Sequence, residues 1–115
     1  MKRKDSLRKR KEFRYTYKAG KSLANSLCAL VYVKNGTRAC RVGFSVSRKI
    51  GGAVVRNRVK RRMREAITPL ISGLRGGVNI IFVARAPIVY AAFSDLRAGM
   101  AHLLEKARLC AGYYQ

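Results

Sequence analysis

The chain has 115 residues, an apolar fraction of 49% and a net charge of +21, from 26 Lys and Arg against 5 Asp and Glu. The apolar fraction suffices for a folded core, which excludes a disordered polycation. So large a charge repels itself unless a polyanion lies beside it, which leaves a nucleic acid or an anionic membrane surface as the partner. No apolar run approaches a transmembrane span, and the basic N-terminus lacks the apolar stretch of a secretory signal. We expect one cytoplasmic domain over residues 1–115, with no membrane association.

The three cysteines are odd in number and widely spaced, at Cys28, Cys40 and Cys110. This pattern fits neither a disulfide framework nor a zinc knuckle. We expect three reduced thiols, most of them buried.

The predicted elements begin with a short helix near residues 10–18. Phe13 and Tyr17 share one face of it because they are four residues apart. Gly20 is placed to end the helix.

Two β-rich runs lie on either side of Asn35-Gly36, a pair typical of a two-residue hairpin turn. The hairpin would pair Lys34 with Thr37, and its register divides the side chains between two faces. The face expected to join the core carries Leu27, Ala29, Val31, Val33, Cys40, Val42, Phe44 and Val46. The half-polar face, which can stay open for a ligand, carries Leu30, Tyr32, Arg41, Gly43, Ser45 and Ser47.

The second half of the chain predicts a long helix over about 53–71, a strand over about 78–85 and a last helix over about 94–110. Pro69 should kink or shorten the end of the long helix. The strand is apolar on both faces and therefore central. The last helix turns inward Leu96, Met100, Leu103, Leu104 and Ala107. The order predicts an α+β or split α/β sandwich, one sheet with helices mainly on one side.

The long helix divides into an apolar stripe and a basic remainder. The stripe holds Val55, Val59, Met63, Ala66, Ile67 and Leu70. The basic residues between Arg56 and Arg64 repel one another at four-residue spacing, so the stripe must hold the helix in place. Before it, Gly51-Gly52 offers no capping side chain. Either the first backbone amides of the long helix are open to a phosphate, or the glycines only turn the chain. A basic helix of this kind suits an array of phosphates.

The acidic and histidine side chains that an RNA-cleaving active site would require are not grouped in the sequence. The five acids are Asp5, Glu12, Glu65, Asp95 and Glu105, far apart in the chain. The single histidine, His102, is interpreted as an ordinary packed or surface residue of the last helix. Two-metal and acid–base cleavage both need such groups together, so we expect no catalytic residue and no metal ligand in the chain.

The stretch "IGGAVVRNRVKRRMREA", residues 50–66, resembles the signature of the protein subunit of bacterial ribonuclease P. The flanking "RVGFSVSRKIG" and "NIIFVARAP" fit the same family, and the resemblance covers nearly the whole chain. It implies an αβββαβα two-layer sandwich with a single mixed sheet and a left-handed crossover. It also implies a non-catalytic RNA-binding subunit of an endoribonuclease that removes the 5′ leader of precursor tRNA.

The resemblance further implies two sets of site residues. Contacts with the catalytic RNA subunit fall to Arg56, Asn57, Arg58, Lys60, Arg61 and Arg64. The cleft for the single-stranded leader falls to Phe13, Tyr17, Tyr32, Ser45, Ser47, Arg48 and Lys49. The partners would be the catalytic RNA and precursor tRNA, with Mg²⁺ held mainly by RNA and no protein partner indicated. The alternatives are a basic ribosomal or other RNA-scaffold protein, and a self-sufficient nuclease.

Overall fold

The computed structural model describes residues 1–110. The helices and strands in chain order are α1 (Arg10–Ala19), β1 (Lys21–Ala24), β2 (Cys28–Lys34), β3 (Cys40–Ser45), α2 (Ala53–Ile67), β4 (Val78–Ala84) and α3 (Phe93–Lys106). Short 3-10 helices cover Arg3–Asp5, Thr68–Gly73 and Ala86–Tyr90. The αβββαβα order is confirmed. Strand β1 was expected only from the element order that the family resemblance implies, because its four residues show no strong hydrophobic pattern of their own.

The four strands form one mixed sheet in the order β1-β2-β4-β3. Strand β4 is antiparallel to β2 and parallel to β3, and it is buried at six of its seven positions. An apolar strand covered on both faces belongs in the centre of a sheet, as the sequence predicted. The path from β3 through α2 to β4 is the crossover for which the resemblance implies a left hand.

The predicted hairpin at Asn35-Gly36 is wrong. Strands β2 and β3 do not pair with each other, because β4 lies between them and pairs with both. The Asn35 side chain instead organises a loop. Its Oδ1 accepts from the Thr37 amide at 2.9 Å and its Nδ2 donates to the Ala39 carbonyl at 3.0 Å. The central place of the apolar β4 outweighs the local turn preference.

The larger core lies between the sheet and the helices α2 and α3. The sheet contributes Cys28, Leu30, Val42, Ile80 and Phe82. Helix α2 contributes the predicted Val59, Met63, Ala66 and Ile67, and α3 the predicted Leu96, Met100, Leu103 and Leu104. Both helical stripes are therefore confirmed.

A smaller core lies under α1, on the opposite face of the sheet. It is built by Leu7, Val31 and Ile81, with Phe13 and Val83 packed against them. The predicted faces are correct for β3 and wrong for β2. Because side chains alternate along a strand, the wrong pairing exchanged the two faces of β2.

Two helix ends differ from the predicted boundaries. Helix α2 ends at Ile67, and the chain continues to Gly73 as a 3-10 helix with Pro69 in its first turn. Proline has no amide hydrogen for the α-helical ladder, which explains the earlier end. Helix α3 ends at Lys106 instead of near residue 110.

All three cysteines are free thiols, with Cys28 and Cys110 buried and Cys40 half-buried. Burial raises the pKa of Cys28 and of Cys40 to about 11. The expectation that the three cysteines are unpaired and mostly buried is confirmed. Among the helices of residues 1–110, none has the length and apolar character needed to cross a bilayer.

Candidate nucleic-acid interface

The aromatic cleft over the sheet, which we name the α1 cleft, is formed by Phe13 and Tyr17 of α1. It begins where Phe13 rests on Gly43 of β3. A Cβ at residue 43 would lie 2.5 Å from Phe13 Cζ and 3.2 Å from Leu7 Cβ, so a side chain there would displace the ring. The Tyr17 ring centroid lies 6.5 Å from that of Phe13, and Tyr17 is 45% exposed. The two rings follow one another along α1. The Phe13 ring packs on the sheet, and the Tyr17 ring is exposed.

Polar contacts hold α1 over the sheet. The buried Thr16 hydroxyl donates to the Glu12 carbonyl at 2.8 Å and accepts from Asn79 Nδ2 at 3.3 Å. The Oδ1 of Asn79 accepts from Asn35 Nδ2 at 3.0 Å. Arg41 Nη1 donates to Glu12 Oε2 at 2.9 Å, the one ion pair among the described residues. These contacts fix the cleft before any ligand binds.

These polar contacts were missed in the sequence. One signal could have found them, since Asn79 is the single polar residue in the otherwise apolar β4. A buried amide needs hydrogen-bond partners, and so predicts a polar neighbour from the helix above it.

A groove of about 320 Å³ joins this cleft to α2 around the edge of β3. It passes from Phe13 and Gly43 to Phe44, and three cations line it: Arg8, Lys60 and Arg64. The Arg64 guanidinium lies 5.9 Å from the centroid of the Phe44 ring. We name it the edge groove. It makes the α1 face and the basic helix one continuous surface.

The predicted cleft residues of β3 and the loop after it lie beside the aromatic rings or on the adjoining surface. Ser45 is half-buried and shares the α1 face with Gly43, because it pairs with Val83 of the smaller core. Ser47, Arg48 and Lys49 are exposed in the loop that leads to α2.

Tyr32 does not belong to this cleft. It pairs with Ile80 and packs against the larger core, on the face of the sheet opposite α1. The face exchange in β2 is the reason. Val31, in the smaller core, lies where the sequence predicted an aromatic side chain.

The basic face of α2 contains residues with different surroundings. Asn57, Arg58, Arg61 and Arg64 are exposed, while Arg56 and Lys60 are half-buried. Within residues 1–110, the side chains of Arg58 and Arg61 make no hydrogen bond or ion pair. They are free to meet phosphates.

Two arginines of α2 form hydrogen bonds with backbone carbonyls of the protein. Arg56 Nη1 donates to the Gly51 carbonyl at 3.0 Å. Arg62 Nη2 donates to the Ala91 carbonyl at 2.6 Å. The helix starts after Gly52 with no side-chain cap. The Arg56 contact thus ties the loop before α2 to its first turn, and the Arg62 contact ties α2 to the segment before α3.

No group of three or more His, Cys, Asp or Glu side chains in residues 1–110 is placed to hold a metal ion. His102 is exposed on α3. With 26 basic residues and one ion pair in the described part of the chain, the positive charge is almost wholly uncompensated.

The family model described as Ribonuclease P matches residues 1–108. The chain belongs to this family. The ribonuclease P protein component of Caldanaerobacter subterraneus subsp. tengcongensis is 45% identical over 103 residues, which cover 90% of this chain and 89% of that protein. The prediction of a ribonuclease P protein component is confirmed, and a ribosomal or scaffold role is not favoured. The chain is a subunit of the ribonucleoprotein endonuclease and works with the ribonuclease P RNA.

Solved structures of the family share the fold. The Staphylococcus aureus RNase P protein aligns with a TM-score of 0.84 at 31% identity, covering 92% of this chain and 97% of that one. The Thermotoga maritima RNase P protein aligns with a TM-score of 0.80 at 31% identity, covering 88% and 96%. The α+β architecture with a single mixed sheet is thus that of ribonuclease P proteins.

Proposed function

We propose that the protein binds the 5′ leader of precursor tRNA in the α1 cleft and the catalytic RNA through α2, and so assists removal of the leader. The observation that carries the proposal is the pair of aromatic rings, Phe13 on Gly43 and Tyr17 beside it, next to cations without acidic partners. Unpaired bases stack on aromatic rings, while basic side chains follow the backbone phosphates.

The contact with the catalytic RNA falls to the exposed side of α2. Asn57, Arg58 and Arg61 are exposed, and the two arginines have no partner within the described chain. A free guanidinium can bind a phosphate with two parallel hydrogen bonds. Arg56 supports this surface by holding the start of the helix.

The leader is assigned to Phe13 and Tyr17, with Ser45 beneath them and Ser47, Arg48 and Lys49 at the exposed rim. Val31 takes the place expected for Tyr32, so the cleft offers two aromatic rings. Lys60 and Arg64 line the edge groove, which connects the two surfaces, so we assign them to contacts with either RNA.

The chemistry is assigned to the RNA. We assign Mg²⁺ to the catalytic RNA and the substrate. The scattered acids of residues 1–110, which form no group of three or more possible metal ligands, support this assignment. The protein would add positive potential and lower the Mg²⁺ concentration that the complex requires. The cytoplasm, where tRNA precursors are processed in bacteria, is the location that this role implies.

A binding comparison tests the leader site. Holoenzyme affinity is measured by fluorescence anisotropy for precursor tRNA with a leader and for mature tRNA. We expect Tyr17→Ala to reduce the preference for the precursor about tenfold, since a stacked base contributes about 1–3 kcal/mol. The matched control is Tyr90→Ala, at a tyrosine that is 92% exposed outside the cleft. An unchanged preference in Tyr17→Ala would contradict the assignment.

A further inference from the structure

A second groove lies at the end of the sheet where β2 ends and β4 begins. Its volume is about 570 Å³, within the range of small-ligand sites in proteins. The groove is lined by Tyr32, Lys21, Lys34 and Arg75, together with the Gly76-Gly77 turn and two residues that follow α3, Ala107 and Leu109. We name it the sheet-end groove. Tyr32 is the one residue of the sequence-predicted RNA contacts that lines this groove, and the structure places it outside the α1 cleft.

The walls of the sheet-end groove are fixed by close backbone contacts. Gly77 has a φ of +76°, and a Cβ there would lie 2.7 Å from the Thr37 carbonyl oxygen. A Cβ at Gly76 would lie 2.5 Å from the Arg38 carbonyl oxygen. Only glycine allows this approach, so the turn is pressed against the loop after β2.

Hydrogen bonds tie the same turn to its surroundings. The Gly77 amide donates to the Ala39 carbonyl at 3.0 Å. The Arg75 amide donates to the Leu109 carbonyl at 2.7 Å, which joins the turn to the residues after α3. The groove is therefore preformed and does not need a ligand to shape it.

The chemistry of the lining suits a nucleotide. Lys21, Lys34 and Arg75 are exposed cations, and no acidic residue lines the groove. Tyr32 lies opposite Lys21 in the pairing of β1 with β2, which places an aromatic ring beside a cation. A phosphate can meet the cations while a base meets the ring, and the glycine turn lets a backbone come close.

We propose that the sheet-end groove binds a nucleotide of single-stranded RNA, as a second RNA site separate from the α1 cleft. The separation follows from β2, because Tyr32 and the cleft lie on opposite faces of the sheet. The RNA can come from the catalytic subunit or from precursor tRNA. In that respect the inference rests on the proposed function.

The test is an NMR titration of the ¹⁵N-labelled full chain with a single-stranded RNA hexamer. Shifts of the Gly76, Gly77 and Lys34 amides report the groove. We expect Arg75→Glu to weaken binding measured at these amides about tenfold, through loss of a charge-assisted contact. The control is Arg97→Glu, an exposed arginine of α3 with the same change of charge. Equal effects of the two substitutions would overturn the site.

A second variant separates this site from the leader cleft. Tyr17→Ala should weaken binding measured at amides near Phe13 about tenfold, while the groove amides respond as in the unsubstituted chain. If the groove response is lost along with the cleft response, the groove is not an independent site. If the groove responds in the unsubstituted chain and the cleft does not, the leader assignment fails and this one stands.

Hydroxyl-radical footprinting of the holoenzyme identifies the source of the RNA. If Arg75→Glu removes protection on the catalytic RNA, that RNA is the ligand of the groove. If it removes protection on precursor tRNA, the ligand is precursor tRNA. Either result supports the site. Unchanged protection on both RNAs would overturn a role of the groove in the holoenzyme.

Discussion

Gly43 sets the position of Phe13, because the ring occupies the space that a side chain at residue 43 would fill. We expect Gly43→Ala to push the ring off the sheet and to weaken leader binding several-fold, since stacking depends on ring position. Affinity for the catalytic RNA should not change. The measurement compares holoenzyme affinity for precursor and mature tRNA, with affinity for the catalytic RNA measured separately.

The control for Gly43→Ala is Ser45→Ala, two residues further along the same face of β3. It removes a hydroxyl without adding bulk under the ring, so its effect should be smaller. If Gly43→Ala binds the leader as tightly as the unsubstituted chain, Phe13 does not contact it.

The buried thiols give a dependence of stability on pH. Burial raises the pKa of Cys28 from an ordinary value near 9.0 to about 11. Above about pH 9 the unfolded chain releases this proton while the folded chain keeps it, so the free energy of unfolding falls as pH rises toward 11. Cys28→Ala should remove that part of the slope. Urea unfolding from about pH 8 to about pH 11 measures it.

Other titrating groups contribute equally to both proteins and cancel in this comparison. We expect the stability difference between the unsubstituted chain and Cys28→Ala to narrow as pH rises through this range. A difference that stays constant with pH would show that Cys28 ionises at its ordinary pKa in the folded chain.

At the scale of elements, the sequence predicted the helices well and one strand pairing badly. Apolar residues at helical spacing identified the buried sides of α2 and α3, because burial of that stripe is what holds each helix. The pairing of β2 depends on β4, more than forty residues later. A local turn signal at Asn35-Gly36 carries no information about a distant strand that enters between two neighbours.

The same limit applies to the site. The basic face of α2 and the aromatic pair of α1 lie within single helices, so their spacing was sufficient to find them. Tyr32 was misplaced because its face depends on strand pairing. The role of Gly43 depends on contact between α1 and β3, which no local pattern records.

Helix α2 offers a matched pair of tests. Arg58 and Arg61 are exposed and without partners within residues 1–110. We expect Arg58→Ala with Arg61→Ala to weaken binding of the catalytic RNA at least tenfold. Its unfolding free energy should stay within about 0.5 kcal/mol of the unsubstituted chain. Filter binding and urea unfolding measure the two quantities.

Arg62→Ala is the contrasting variant on the same helix. It removes the 2.6 Å hydrogen bond to the Ala91 carbonyl, so we expect a loss of stability of about 1–2 kcal/mol. Its effect on RNA affinity should be smaller than that of the double variant with Arg58→Ala and Arg61→Ala. The reverse result, with Arg62 dominating RNA binding, would place the RNA on the other side of α2.

At the scale of the whole molecule, charge is the dominant feature. A net charge of +21 stands against a single ion pair in the described residues. The chain therefore carries a positive potential over its surface that is relieved when RNA lies beside it. Two cores anchor the basic elements, the larger under α2 and α3 and the smaller under α1. The fold serves to hold cations and aromatic rings at fixed places.

Cleavage of precursor tRNA at low Mg²⁺ is the decisive measurement of the proposed function. Three reactions are compared: bacterial ribonuclease P RNA alone, the protein alone, and both together. We expect leader removal only with both, and a marked loss of it when Arg58→Ala and Arg61→Ala are introduced. Cleavage by the protein alone, or no gain when it is added to the RNA, would rule out the proposed role of the protein.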